Sequence, residues 1–193
     1  MILAALGTFA ATNVDDILIL ALFFGRAAGH DHAPRQVVIG QYLGFALILA
    51  VSVAGALGAT RLSESAIAYL GLLPIALGVR AAVLAWQHRD AVDEERETRG
   101  VPSIGSVATV TFANDGDNIG VYVPVFAAAG VGGLSIYVAV FLLMVGVWCF
   151  LGHHLATRPV IARALSRWGH ILLPIVLIAI GTLILVRGGA FGL

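Results

Sequence analysis

Ala11-Thr12-Asn13-Val14-Asp15-Asp16-Ile17 and Ala113-Asn114-Asp115-Gly116-Asp117-Asn118-Ile119 are two acidic strings set in long apolar surroundings. A helix that crosses a bilayer needs about 20 mostly apolar residues. By that measure the chain has candidate spans at 2–25, 36–60, 65–87, 104–129, 133–157 and 168–187. Each acidic string falls near the middle of its span, the first and the fourth. An Asp at the centre of a spanning helix costs about 2.5–3.5 kcal/mol on insertion scales. Four of them cost on the order of 10 kcal/mol, more than a small bundle tolerates without a compensating partner. That partner is a cation, a proton or a water-filled cavity, because no Arg is expected at the same depth.

Composition agrees with a lipid solvent. Of 193 residues 60% are hydrophobic and 11% charged, against about 25% charged in soluble domains, and the mean hydropathy is +0.98. Formal net charge is zero, so nothing favours nucleic acid as a partner. The single cysteine, Cys149, excludes an intramolecular disulfide and any multi-thiolate site within one chain. The N-terminal Met1-Ile2-Leu3-Ala4-Ala5-Leu6-Gly7 has no basic region and reads as the start of a span rather than a signal peptide. The uncharged stretch from Asn118 to Thr157 is too long for one helix, and Gly130-Val131-Gly132-Gly133 is the expected turn within it. The one sizeable polar segment, Gln87 to Ser103, separates two three-span halves: residues 1–87, a linker at 88–103, and residues 104–193. Basic residues concentrate in loops on one side: Arg26, Arg35, Arg89, Arg96, Arg99, Arg158, Arg163 and Arg167, against Arg61 and Arg187 on the other. The positive-inside rule then puts the linker in the cytoplasm and both termini outside it.

The halves repeat. The two acidic strings align from Ala11 to Ala113, an offset of 102, and Leu72-Leu73-Pro74-Ile75 recurs as Leu172-Leu173-Pro174-Ile175, an offset of 100. Three spans per half make the second copy enter the membrane in the opposite sense. Inverted repeats of this kind mark secondary transporters, with the substrate site between the repeats near the midplane. The expected fold is an all-α polytopic membrane protein of six transmembrane helices in two inverted three-helix repeats. Neighbours in a regular helix point about 100° apart and do not share a face, so Asn114 to Asn118 cannot all line one cavity on a continuous helix. Gly116 and Pro124 favour a break, and helices 1 and 4 are expected to be broken at mid-membrane. Unwinding frees carbonyls to join the carboxylates and amides. The candidate metal ligands are Thr12, Asn13, Asp15, Asp16, Asn114, Asp115, Asp117 and Asn118, an oxygen-rich set suited to a divalent cation. The offset pairs Asp15 with Asp117 and so places those two at the centre. The bland alternative is that these residues are buried structural hydrogen-bonders, or lie in loops.

Thr12-Asn13-Val14-Asp15-Asp16-Ile17, together with the span-4 string from Ala113 through Val123-Pro124-Val125-Phe126, resembles the cadmium-resistance transporter family of the lysine-exporter superfamily. The resemblance extends over the whole chain, including the Pro-containing third and sixth spans and the polar linker. Asp115 stands where that family more often carries Gly. The resemblance implies export of Cd²⁺ or a similar divalent ion across a bacterial cytoplasmic membrane. Four carboxylates around one divalent ion leave about two negative charges uncompensated, which a dry site tolerates poorly, and proton antiport is the expected coupling. No cofactor is expected: the chain lacks a Walker-type Gly-Lys-Ser/Thr string, so the driving force is not ATP.

Secondary candidates are weighed against plainer roles. His30-Asp31-His32 and His153-His154 offer nitrogen ligands at the cytoplasmic side, but read more simply as polar residues at helix ends. Cys149 reads as a small buried hydrophobe. Gln41, Tyr42 and Tyr122 suit a path lining or packing, and Gly40 with Gly44 suits close helix packing within the chain or in a homodimer. Two other functions compete: export of an amino acid or organic cation, and an intramembrane aspartyl hydrolase in which two Asp share a proton and activate water. The duplicated motif favours transport over an enzyme. A reporter fused after Leu193 is expected to work only if it matures outside the cytoplasm; activity confined to a cytoplasm-dependent reporter overturns the orientation.

Overall fold

In hydrocarbon a backbone amide finds no water, so an apolar chain satisfies its amides inside helices. The computed structural model describes residues 1–59, 67, 69–70, 72–87, 101–156, 175 and 178–186. Among these every regular element is helical: α1 (Ile2–Thr12), α2 (Asp16–Ala27), α3 (Ala33–Ala59), α4 (Leu72–Gln87), α5 (Ile104–Asn114), a 3₁₀ turn (Gly116–Asn118) and α6 (Ile119–Leu155). Residues 178–186 are helical as well.

Both acidic strings interrupt helices, as their composition demands. Short Asn and Asp side chains compete with the backbone for hydrogen bonds and are poor helix-interior residues. At the first string α1 stops at Asn13, whose backbone leaves the helical region (φ −122°, ψ 21°). The chain resumes as α2 at an angle of 62° to α1. At the second, α5 stops at Asp115 (φ −96°, ψ 7°) and passes through the 3₁₀ turn into α6. The start of α5 is fixed by a reciprocal cap. Ser103 Oγ accepts from the Ser106 N–H at 3.2 Å, and Ser106 Oγ accepts from the Ser103 N–H at 3.0 Å. The third interruption is a single residue. Gly130 lies at φ 67°, ψ 176° inside α6, a conformation almost confined to glycine, and it divides the long helix where the sequence places a turn.

Ala33–Ala59 and Gly116–Leu155 are long and apolar enough to cross a membrane, and the bent α1–α2 pair adds a third such element if it is one span. The described part of α4 has 16 residues. The linker from residue 88 to 100, half of the expected sixth span, Leu172-Leu173-Pro174 and the loop arginines Arg61, Arg89, Arg96, Arg99, Arg158, Arg163, Arg167 and Arg187 lie outside the described residues.

Helix α3 is the continuous post against which α5 and α6 pack. Glycines set the spacing. A Cβ on Gly40 would lie 2.7 Å from the Ile104 carbonyl oxygen, and one on Gly44 2.7 Å from that of Ala108. The Gly40/Gly44 spacing therefore serves contact between α3 and α5 within one chain, the close backbone approach that small residues permit. Below the helix breaks sits an aromatic cluster. Phe9 meets Phe45, Phe141 and Trp148 edge-on at centroid distances of 5.5, 5.4 and 5.2 Å, and Tyr122 meets Phe141 at 4.9 Å. Edge-to-face pairs add about 0.5–1.5 kcal/mol each beyond burial.

Gly130→Ala is expected to lower the unfolding free energy in detergent by about 1–3 kcal/mol, the usual cost of such a backbone conformation. Gly58→Ala, on α3 with nothing within 4 Å of the added carbon, is the control and should be neutral. Equal thermal stabilities of the two variants would refute the assignment of Gly130 as a conformational requirement.

Candidate functional site

The two interrupted helices meet, so the acidic strings face each other across the bundle. Asn114, the last residue of α5, supplies the join. Its side-chain amide donates to Asp16 Oδ1 at 3.0 Å, to Asp115 Oδ1 at 3.0 Å and to Asp15 Oδ2 at 3.4 Å. Asp16 and Asp115 are 3% and 1% exposed, and the Asn114 amide bonds both. Asp115 Oδ2 is buried without a hydrogen-bond partner. Asp15 and Asp117 are exposed; their charges act on each other and on Asp115. The site thus has a buried pair and an open rim. The repeat offset predicts the reverse, with Asp15 and Asp117 innermost. Two residues of spacing around each break turn the equivalent side chains in different directions, because the first break has no 3₁₀ turn like that at Gly116–Asn118.

A second tier of polar contacts orients Asp16. Thr111 Oγ1 donates to Gln41 Oε1 at 2.6 Å, which fixes the Gln41 amide so that its Nε2 donates to Asp16 Oδ2 at 3.2 Å. All three are buried. Gln41 is thereby a holder of the carboxylate, not merely a packing residue. Thr111 carries the signal that sequence reading passes over: it lies three residues before Asn114 and shares its helix face.

Thr12, Asn13 and Asn118 turn toward another partner. Asn13 Nδ2 donates to Tyr122 Oη at 2.8 Å and to the Phe9 carbonyl at 2.8 Å, and Thr12 Oγ1 pairs with Tyr122 Oη at 2.9 Å. The carbonyls released by the break are taken as well. Asn118 Nδ2 donates to the Thr12 carbonyl at 3.3 Å, and the Trp148 indole N–H donates to the Asn13 carbonyl. Freed carbonyls at 12 and 13 were candidate ligands; here protein donors occupy them, since a buried carbonyl without a partner is costly. Trp148 is absent from the sequence-based set. Its signal is that a buried indole N–H needs an acceptor.

His153 and His154 pack against aromatic rings. His153 stacks edge-on against Phe24 at 4.9 Å and His154 lies parallel to Phe150 at 6.4 Å. Cys149 is buried, though close enough to feel the charge of Asp16. Tyr42 donates to the Leu142 carbonyl at 3.1 Å, a packing contact between α3 and α6. Among the described residues no three His, Cys, Asp or Glu side chains are grouped tightly enough to hold a metal by themselves.

Helices long and apolar enough to cross a membrane, with two breaks meeting at a shared acidic cluster, fit a membrane protein. The cadmium resistance transporter family matches this chain over residues 9–193, and the chain belongs to that family. No curated protein and no solved structure matches it.

Tyr122→Phe keeps the ring in the aromatic cluster but deprives Thr12 and Asn13 of their shared partner. Thr12 keeps the Thr8 carbonyl and Asn13 keeps the Phe9 carbonyl, so the cost is that of a lost hydrogen bond, about 0.5–1.5 kcal/mol. Thermal unfolding is expected to show a loss of that size, and wild-type stability would mean that Tyr122 does not anchor the first break.

Proposed function

We propose that this protein is a secondary exporter of a divalent metal cation, Cd²⁺ or a similar ion, with the ion held between the two helix breaks. Membership of the cadmium resistance transporter family supports metal-ion efflux. The observation that carries the choice of site is the buried Asp16–Asp115 pair bridged by Asn114. Two carboxyls pressed together in dry surroundings need a positive charge between them. Their hydrogen-bond donors are the Asn114 and Gln41 amides, which are neutral. A cation arriving from outside the chain supplies what the fold withholds. Asp15 and Asp117 at the rim attract it, and Asp16, Asp115 and the Asn114 oxygen bind it. Thr12, Asn13 and Asn118 shape the first break rather than touching the ion.

The remaining reading follows from the same charge balance. With the metal gone, a proton can take its place on the buried pair, so metal and proton compete for the same oxygens and efflux runs as proton antiport. Nearby carboxyls titrate together, and no single residue need own the proton. We place the two helix breaks in two inverted three-helix halves, residues 1–87 and 104–193. The 88–103 linker is cytoplasmic, both termini are outside, and the host is a bacterial cytoplasmic membrane.

The test is efflux from cells and from proteoliposomes with Cd²⁺, Zn²⁺, Mn²⁺ and Ca²⁺, with internal pH followed by dye. At least one of these ions should move outward with counter-movement of protons. Asp16→Asn and Asp115→Asn should each weaken metal binding at least about a hundredfold, the scale of a lost partner in a buried charge site. Asp117→Asn, at the rim, should cost less than about tenfold, as exposed charges do. Equal losses at Asp115 and Asp117 with matched expression would defeat this assignment of inner and outer carboxylates. Metal transport indifferent to a collapsed proton gradient would remove the antiport step and leave the metal site standing.

A further inference from the structure

Away from the acidic cluster, where α2 ends and α3 begins, a groove of about 450 Å³ opens between those helices and the last turns of α6. Its walls include Phe24, Val38, Ile39 and Phe150, and its polar rim is made by Arg35 and His153. Phe150 is 70% exposed and Ile39 47% exposed, so the wall continues onto the outer surface of the bundle. Arg35 and His153 are exposed too. Among the described residues no acidic side chain lines the groove.

These features select an occupant. A metal cation finds only the Cys149 thiol and the His153 imidazole here, too few ligands for a site, and meets the positive charge of Arg35. A small inorganic anion suits Arg35 but leaves the apolar wall unused. An anionic phospholipid uses both halves: guanidinium groups bind phosphate in a planar, two-pronged geometry, and acyl chains match an open apolar wall facing the bilayer. Basic pockets between transmembrane helices bind anionic headgroups on this principle. We infer that the groove is a binding site for an anionic phospholipid, with the headgroup phosphate on Arg35 and His153 and an acyl chain along Ile39 and Phe150. This site does not depend on the transport reading, since none of its residues belongs to the acidic cluster.

The test uses the purified full-length chain in detergent, titrated with phosphatidylglycerol, with phosphatidylcholine of identical acyl chains, and with inorganic phosphate. Thermal unfolding and native mass spectrometry report binding. Phosphatidylglycerol should raise the unfolding temperature and give discrete bound-lipid peaks, whereas phosphatidylcholine and phosphate should not. Arg35→Gln should weaken phosphatidylglycerol about fivefold, the effect of one basic residue near a headgroup. Arg35→Gln combined with His153→Gln should abolish the preference for the anionic lipid. Both residues are exposed, so these variants are expected to fold. Equal shifts with the two lipids, a preference that survives in the double variant, or a shift reproduced by phosphate alone would each overturn the assignment.

Discussion

The side-chain amide of Asn114 touches three of the four membrane carboxyls, and much of the structure serves to bring them to it. A carboxylate away from water must be met by donors or by charge. Asn114 sits at the end of α5 and reaches across to the start of α2, so one amide group ties the two helix breaks together. Gln41 on α3 adds a donor from a third direction. The close approach of α3 to α5 through Gly40 and Gly44 brings Gln41 within reach of both Thr111 and Asp16. A bulkier pair of residues there would push the helices apart and leave Asp16 with one donor fewer. Packing of small residues and satisfaction of a buried charge are, at this point, one requirement.

The acidic strings, their position in apolar sequence and the interruption of both helices were legible from residue types alone. Asp, Asn and Gly in the middle of an apolar run conflict with a continuous helix, and the structure resolves the conflict by breaking it at Asn13 and at Asp115. The turn at Gly130 was legible for a similar reason. Which carboxylates point inward was not. That depends on the backbone angles of two or three residues at each break, and a 3₁₀ turn follows the second break but not the first. The roles of Tyr122 and Trp148 were hidden by distance: they lie 109 and 135 residues from Asn13, and no local pattern links them. Asp115 proves to be the most deeply buried carboxyl of the cluster.

The division of labour between the two breaks also explains why eight polar residues of similar chemistry do different things. At the first break, Thr12 and Asn13 spend their side chains and carbonyls on Tyr122, Asn118 and Trp148. At the second, Asp115 keeps one oxygen without a partner. A saturated polar group contributes to the shape of the break rather than staying open to other contacts. The aromatic rings around Phe9 and Phe141 close the space behind the saturated break, so that the unsaturated oxygen is set among neutral amides and carboxyls.

Gly130 gives α6 two arms, and each arm grips the first break from its own direction. The arm before the glycine holds it through Asn118 and Tyr122. The arm after it holds through Trp148, and Gly152 lies so close to Leu20 that no Cβ would fit between them. Mechanically the first break is clamped like a workpiece in a vice, with Gly130 as the pivot of the jaws. The second break is held differently, through α5, which Gly40 and Gly44 seat on α3 and which Thr111 ties to Gln41.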